Sequence, residues 1–313
     1  MTQPRRHLPG QIVMLTRRTA GRQYLLRPDE RINHIAHYEI ARAAEPHGQM
    51  VHGAMCMSNH IHLVQTDSTG NRSDFMRDAM SKMARARNHD LNRRGYFWNN
   101  QQYGDTVLLK QEAVVRKLLY IWLNPVVAGL VRRAEEWPGF KILPRDWGKT
   151  IEIERPKGFY GRRSPEKVTF TPQPPPGFEH LSLEEAIEYF EELLREAEDE
   201  ILARHRNRRF RGKRAILLKS PYDYPKTLEP MGRINPKFAT KDAELMARAK
   251  GQYLEFLHRY EQSRQRWLKG RRGVTFPAGT IQMRRQAPIK CEPPDPTEPG
   301  LLGVVEAIHT SAA

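Results

Sequence analysis

The first half of the chain switches between two hydrophobic periods. Gln11 to Arg17 (Gln-Ile-Val-Met-Leu-Thr-Arg) is a short, nearly unbroken apolar run, the mark of a buried strand. Pro28-Asp29-Glu30 then opens a helix, with proline at its start and acids in its first turn. Ile32, Ile35, Tyr38, Ile40 and Ala41 carry that helix towards Ala44, and Pro46-His47-Gly48 stops it. Met50 to Met57 and His60 to Thr66 read as two strands joined by a tight Ser58-Asn59 turn. Strand, helix, strand, strand is the opening of a ferredoxin-like fold. Ser73 or Asp74 can cap a second helix through about Leu91, with Phe75, Met76, Met80, Met83, Ala84 and Leu91 as its inner stripe. A short strand around Thr106-Val107-Leu108-Leu109 follows. Glu112 starts a third helix carrying Val115, Leu118, Leu119, Tyr120, Leu123 and Asn124, until Pro125 disfavours helical geometry in the residue before it.

The second half is patterned differently. From Arg155 to His180 prolines crowd, as in a linker or irregular arm. Ser182 with Glu185 then makes a capping box, and Ala186, Ile187, Phe190, Leu193, Leu194, Ile201 and Leu202 form one helical stripe. Its far end, Arg204 to Arg214, packs seven cationic residues around Phe210, a composition suited to phosphates plus a stacked base. A last helix runs from about Lys241 to Leu268, and the proline-rich stretch after Gln286 is expected to be disordered. The expected fold class is therefore α+β. An antiparallel sheet with helices spans residues 8–150, a linker 151–181, a mostly helical basic C-terminal extension 182–285, and a tail 286–313.

Composition narrows the partner. With 313 residues, 39% of them hydrophobic, the chain can bury one large core or two modest ones. Lys and Arg outnumber Asp and Glu by 52 to 36, a net +16 that points to a polyanion, with nucleic acid the leading candidate. No basic amphipathic helix has a strongly apolar opposite face, so no membrane partner is expected. Met1 to His7 leads into no apolar signal core, and the most apolar stretch, Leu118 to Val131, is broken by Asn124, Pro125 and Gly129. The expected location is the cytoplasm, on the nucleoid when DNA is bound. Cys56 and Cys291 alone supply neither a disulfide framework nor a cysteine zinc site, so any metal must be held by His, Asn, Gln or carboxylates. No Gly-rich phosphate loop suggests a nucleotide cofactor.

Two short stretches carry the candidate chemistry. In Met57-Ser58-Asn59-His60-Ile61-His62-Leu63-Val64, strand alternation sends His60 and His62 to one side and Ile61 and Leu63 to the other. In Leu119-Tyr120-Ile121-Trp122-Leu123-Asn124-Pro125, helical spacing puts Tyr120 and Asn124 on one face. Each feature alone has a plain structural reading: a strand His-x-His is a weak metal signal, Tyr120 has apolar neighbours, and Asn124 is an ordinary residue before proline. His34, His37, His47, His52 and His89 read as surface or structural residues. Tyr96 and Tyr103 are rival nucleophiles, but neither has an Asn or Gln one helical turn later on a clear helix.

In their order these motifs resemble the single-tyrosine HUH transposases, most closely the REP-associated tyrosine transposases. The segment Met57 to Val64 looks like the HUH motif, and Tyr120 to Val131 looks like the catalytic helix and its exit. Arg17-Arg18, Phe75-Met76, Ala84 to Asn88, Phe97-Trp98 and Glu136-Trp137-Pro138-Gly139 match in turn, and the resemblance covers about residues 8 to 145. It departs at Val127, where many relatives carry Arg, and at Ile12 to Leu15, where many carry a histidine. The resemblance implies an HUH domain in which Tyr120 is the nucleophile. His60, His62 and Asn124 then hold a Mg²⁺ or Mn²⁺ ion, and the substrate is single-stranded or hairpin DNA, cut and rejoined through a 5′-phosphotyrosine. Monomers and homodimers both occur among similar proteins. Arg17, Arg18, Arg85 and Arg87, with Arg206, Arg208, Arg209 and Arg211 of the basic segment, are expected DNA contacts. Two rivals are a hairpin-DNA binder whose chemistry has lapsed and a phosphodiesterase in which water attacks; only the strand transferase leaves a covalent protein–DNA adduct.

Overall fold

The computed structural model describes residues 3–227, 236–295, 297, 298 and 300. The chain is α+β. In order come β1 (Gln11–Arg18), α1 (Glu30–Ala44), β2 (Gln49–Met57), β3 (His60–Asp67), α2 (Arg72–Asp90) and β4 (Gly104–Leu108), then α3 (Gln111–Trp122) and the one-turn α4 (Asn124–Val127). The rest supplies β5 (Lys141–Ile142), β6 (Ile151–Glu154), β7 (Lys167–Phe170), α5 (Leu183–Arg204), α6 (Gly212–Leu217), β8 (Phe238–Ala239), α7 (Ala243–Leu268), β9 (Thr275–Phe276), α8 (Gln282–Gln286) and β10 (Lys290–Cys291). The main sheet has the order β5-β2-β3-β1-β4-β8 and is antiparallel except where β8 pairs with β4.

Local chemistry sets the element ends. The Asp29 carboxylate caps α1 by accepting from Ile32 N at 3.0 Å. Helix α2 begins at Arg72, earlier than a Ser73 or Asp74 cap would place it, because Asp67 at the end of β3 accepts from Asn71 N and Arg72 N. Pro125 interrupts its helix without ending it. Lacking an N–H for the carbonyl one turn back, it separates α3 from α4, and Asn124 becomes the first residue of the new turn.

The two faces of the sheet are covered differently. Val13, Leu15, Cys56, Ile61 and Leu63 pack beneath α1 and α2. Ile12, Met14, Met55, Met57 and Val64 face α3, whose Leu118, Ile121 and Trp122 are fully buried. Close approach of α3 depends on Gly53 of β2: a Cβ there would lie 2.7 Å from Leu118 Cδ2 and 3.2 Å from Ile121 Cδ1 and Trp122 Nε1.

The boundaries expected from composition are not boundaries between cores. Phe190 of α5 packs edge-on against Trp122 and Trp147, with centroids 6.3 and 5.1 Å apart, so the C-terminal extension shares the core beneath α3. Strand β8 extends the main sheet itself. Within the expected linker, β6 and β7 form an antiparallel hairpin whose Ile153 and Phe170 join the core under α1. The expected disordered tail begins with β10, paired parallel to β9; its residues 301–313 lie outside the described residues.

Candidate active site

Register gathers the site. His62 lies opposite Thr16 of β1 and Met55 of β2, and His60 opposite Arg18 and Met57, so Thr16, Arg18, His60 and His62 share the α3 face. The two imidazole centroids are 4.7 Å apart. Asn59 Oδ1, which can only accept, lies 2.7 Å from His60 Nδ1, so Nδ1 carries the proton and Nε2 is left bare. His62 Nδ1 is 2.8 Å from Thr16 Oγ1, and its Nε2 is 3.5 Å from Asn124 Nδ2. With the amide nitrogen turned towards it, Nε2 is assigned as the unprotonated atom and Nδ1–H as the donor to Thr16. Burial, reinforced by Arg18, pushes the His60 pKa down to about 3. Burial, with His60, Arg18 and Lys117, holds His62 well below the ordinary histidine value. Both rings are therefore neutral at physiological pH.

Helices α3 and α4 supply the remaining groups. The Tyr120 ring lies 5.6 Å from the His62 ring at an interplanar angle of 73°, and the residue is 47% exposed, so a half-exposed phenol stands against a buried imidazole. Lys117, one turn earlier, lies 5.0 Å from the Tyr120 centroid, and burial with the neighbouring Arg116 lowers its pKa. The Asn124 carboxamide sits at the His62 Nε2 edge, and a half-turn about its last torsion exchanges Nδ2 for Oδ1 there. This donor set fits a small divalent cation. Two imidazoles have their outer nitrogens bare, their inner nitrogens fixed by Asn59 and Thr16, and an amide oxygen within reach. Among the described residues no three His, Cys, Asp or Glu side chains gather to hold a metal ion, and a third protein donor beside the two imidazoles would be the Asn124 carboxamide.

The expected DNA contacts divide. Arg18 faces the histidines, whereas Arg17 turns to the other side of the sheet and donates to Gln101 O. Arg87 is corrected: it is 1% exposed, paired with Asp29 and Asp90 and donating to Leu25 O, so it cannot meet a phosphate. Arg85 is exposed, but on α2, across the sheet from the histidines. Arg208 donates to Val127 O at 2.8 Å, and Arg211 N and Gly212 N bond Gly129 O and Leu130 O, which docks the basic segment on the turn following Asn124. Arg206 and Arg209 are exposed and without polar partners among the described residues. Of the rival nucleophiles, the Tyr103 hydroxyl is tied to Ser73 at 3.0 Å on the other side of the molecule from α3, and Tyr96 stands in solvent. Sequence reading missed Thr16, Asn59 and Lys117. Only Lys117 had a signal, its three-residue spacing from Tyr120 on one helix.

No protein-family model matches the chain, and no curated protein does. A solved structure, that of a REP-associated tyrosine transposase bound to a REP hairpin, is similar at 19% identity. It covers 47% of this chain and 85% of that one, with a TM-score of 0.39, and a likeness this loose carries no inference about chemistry. No described helix is long and apolar enough to cross a membrane.

Proposed function

We propose that the chain is a transposase-like DNA strand transferase that cuts and rejoins single-stranded DNA near hairpins, with Tyr120 as the nucleophile. The carrying observation is the Tyr120 phenol beside His62, at the open edge of a pair of neutral imidazoles, all within one chain. The order β2-β3-β1-β4 with helices between supports a ferredoxin-like core of the HUH kind, and the motif resemblance supplies the substrate class.

A phenol is a weak nucleophile at neutral pH until its proton is removed or its oxyanion stabilised. Lys117 places an ammonium 5.0 Å from the ring centre of Tyr120, putting positive charge beside the reacting groups. Tyr120 Oη then bonds phosphorus as the bond from phosphorus to the 3′ oxygen breaks. That oxygen leaves with a proton as a free 3′ hydroxyl, and the 5′ phosphate stays on the tyrosine. Attack by a 3′ hydroxyl on this ester reverses the step and rejoins DNA. His60, His62 and Asn124 would hold Mg²⁺ or Mn²⁺, which when bound polarises the phosphodiester and orients it for attack. Arg18, with Arg206 and Arg209, supplies positive charge for the backbone.

The test mixes the chain, Mg²⁺ and a hairpin-bearing single-stranded oligonucleotide labelled on its 5′-phosphate side, and resolves denatured products by gel. The expected result is a labelled adduct that Tyr120→Phe abolishes. An adduct persisting in the variant overturns the choice of nucleophile. Cleavage without adduct means water attacks, and DNA binding with neither leaves a binding protein.

A further inference from the structure

The turn between Leu91 and Tyr96 fixes an aromatic side chain in water. Tyr96 is 87% exposed, yet its loop is braced. Arg93 donates to Asn88 Oδ1 at 3.0 Å and to Tyr96 O at 2.9 Å, and Asn92 (φ 46°) and Gly95 (φ 105°) take the left-handed conformations that the turn requires. The braced loop therefore holds the Tyr96 ring in solvent at a defined place. Arg94, beside it, is exposed and has no polar partner among the described residues.

Two more exposed aromatic rings come from the C-terminal extension. Tyr222 is 47% and Tyr224 65% exposed. Tyr222 Oη donates to Leu91 O at 3.1 Å, joining this segment to the 91–96 turn, and Asp223 O accepts from Tyr24 N at 2.7 Å. Both segments are tied to the strand end and loop beside the candidate active site. Asn99 N donates to Arg18 O and Ala20 N to Phe97 O, each at 2.9 Å, so the turn is stitched to the end of β1 where Arg18 faces His60. Asn59, whose Oδ1 orients His60, donates Nδ2 to Arg22 O at 3.3 Å, and the Arg22 guanidinium donates to Thr227.

We propose that Tyr96, Tyr222 and Tyr224 form a stacking platform for unpaired bases of single-stranded DNA, with Arg94 on its phosphates, guiding the strand to Tyr120. The identity of the strand rests on the function proposed above; the platform itself rests on the rings and the arginine. Every unpaired base has an open π-face that a phenol can stack against, whereas bases of a duplex are already stacked on one another. The platform therefore selects single strands with little regard to sequence.

Anisotropy titrations of the full chain test this, using an oligothymidylate of about 12 nucleotides and a blunt duplex of equal length at matched salt. Tyr96→Ala and Tyr224→Ala should each weaken single-strand binding about tenfold, leaving duplex binding unchanged, and Tyr96→Phe should bind like the parent. Arg94→Ala should flatten the slope of log affinity against log salt by about 0.7. Single-strand affinities within about twofold of the parent, or equal losses on single strand and duplex, overturn the platform. Failure of the two proposals is distinguishable. A parent chain that forms no adduct yet needs Tyr96 and Tyr224 for single strands loses the chemistry and keeps the platform. A normal adduct with indifferent tyrosine variants does the reverse.

Discussion

His52 and His62 stand on neighbouring strands of one sheet and make the same first bond, to a threonine hydroxyl on an adjacent strand: His52 to Thr66 and His62 to Thr16, each at 2.8 Å. Both are buried, and burial pushes both pKa values down, that of His52 to about 4. They part at the second nitrogen. His52 Nδ1–H donates to Gln173 O at 3.0 Å, so both its ring atoms are engaged inside the protein. His62 Nε2 instead meets a carboxamide beside a half-exposed phenol. Neither burial nor a depressed pKa separates a structural histidine from a candidate ligand here; what the outer nitrogen meets does.

The largest expected contrast comes from truncating the two rings. His62→Ala should slow adduct formation per folded molecule by more than about 100-fold, beyond whatever stability the emptied site costs. His52→Ala should leave adduct per folded molecule unchanged but lower the unfolding free energy by about 2–4 kcal/mol. Gel assays beside urea titrations read both, and matching losses of activity would break the comparison. Next in size are the threonines. Thr16→Val frees the His62 ring and should weaken Mn²⁺ binding about 10- to 100-fold by calorimetry, while Thr66→Val leaves it unchanged. Equal Mn²⁺ affinity in the two would mean that the hydroxyl orients nothing. Lys117→Met should slow the adduct step about tenfold with DNA affinity within about twofold of the parent; a loss of affinity equal to the loss of rate would assign Lys117 to binding alone.

The smallest effect is the linkage of His52 to pH. Its folded pKa, about 4, lies below the ordinary 6.5, so the unfolded ring takes up a proton first. The stabilisation is complete above pH 6.5 and is lost as pH falls towards 4. His7 and His37, also held near 4 chiefly by burial, add to the same slope. His52→Gln should remove at most one proton from that slope, about 1.4 kcal/mol per pH unit, in urea midpoints taken across the window. An unchanged slope would mean that the ring is already protonated in the fold.

The candidate site was legible where a short-range rule sufficed. Strand parity put His60 and His62 together, and one helical turn put Tyr120 and Asn124 together. Thr16 and Asn59 escaped because their roles depend on register and on a turn's geometry, which one strand read alone does not reveal. Arg87 misled for a related reason: its partners Asp29 and Leu25 come from a different segment, and nothing in α2 itself marks the residue as buried. The Ile-Glu-Ile-Glu alternation of β6 was visible in the sequence but was masked by the prolines that follow it. The sharing of one core by Phe190, Trp122 and Trp147 had no local signature at all.

Gly53 carries no chemistry, yet it acts as the spacer that sets how near α3, which carries Tyr120, sits to the sheet that carries His60 and His62. A single added methyl group would press on Leu118, Ile121 and Trp122 together, and Tyr120 rides on the same rigid rod. The approach of phenol to imidazole is thus calibrated by a missing side chain one strand over from His62, at a position with no chemistry of its own.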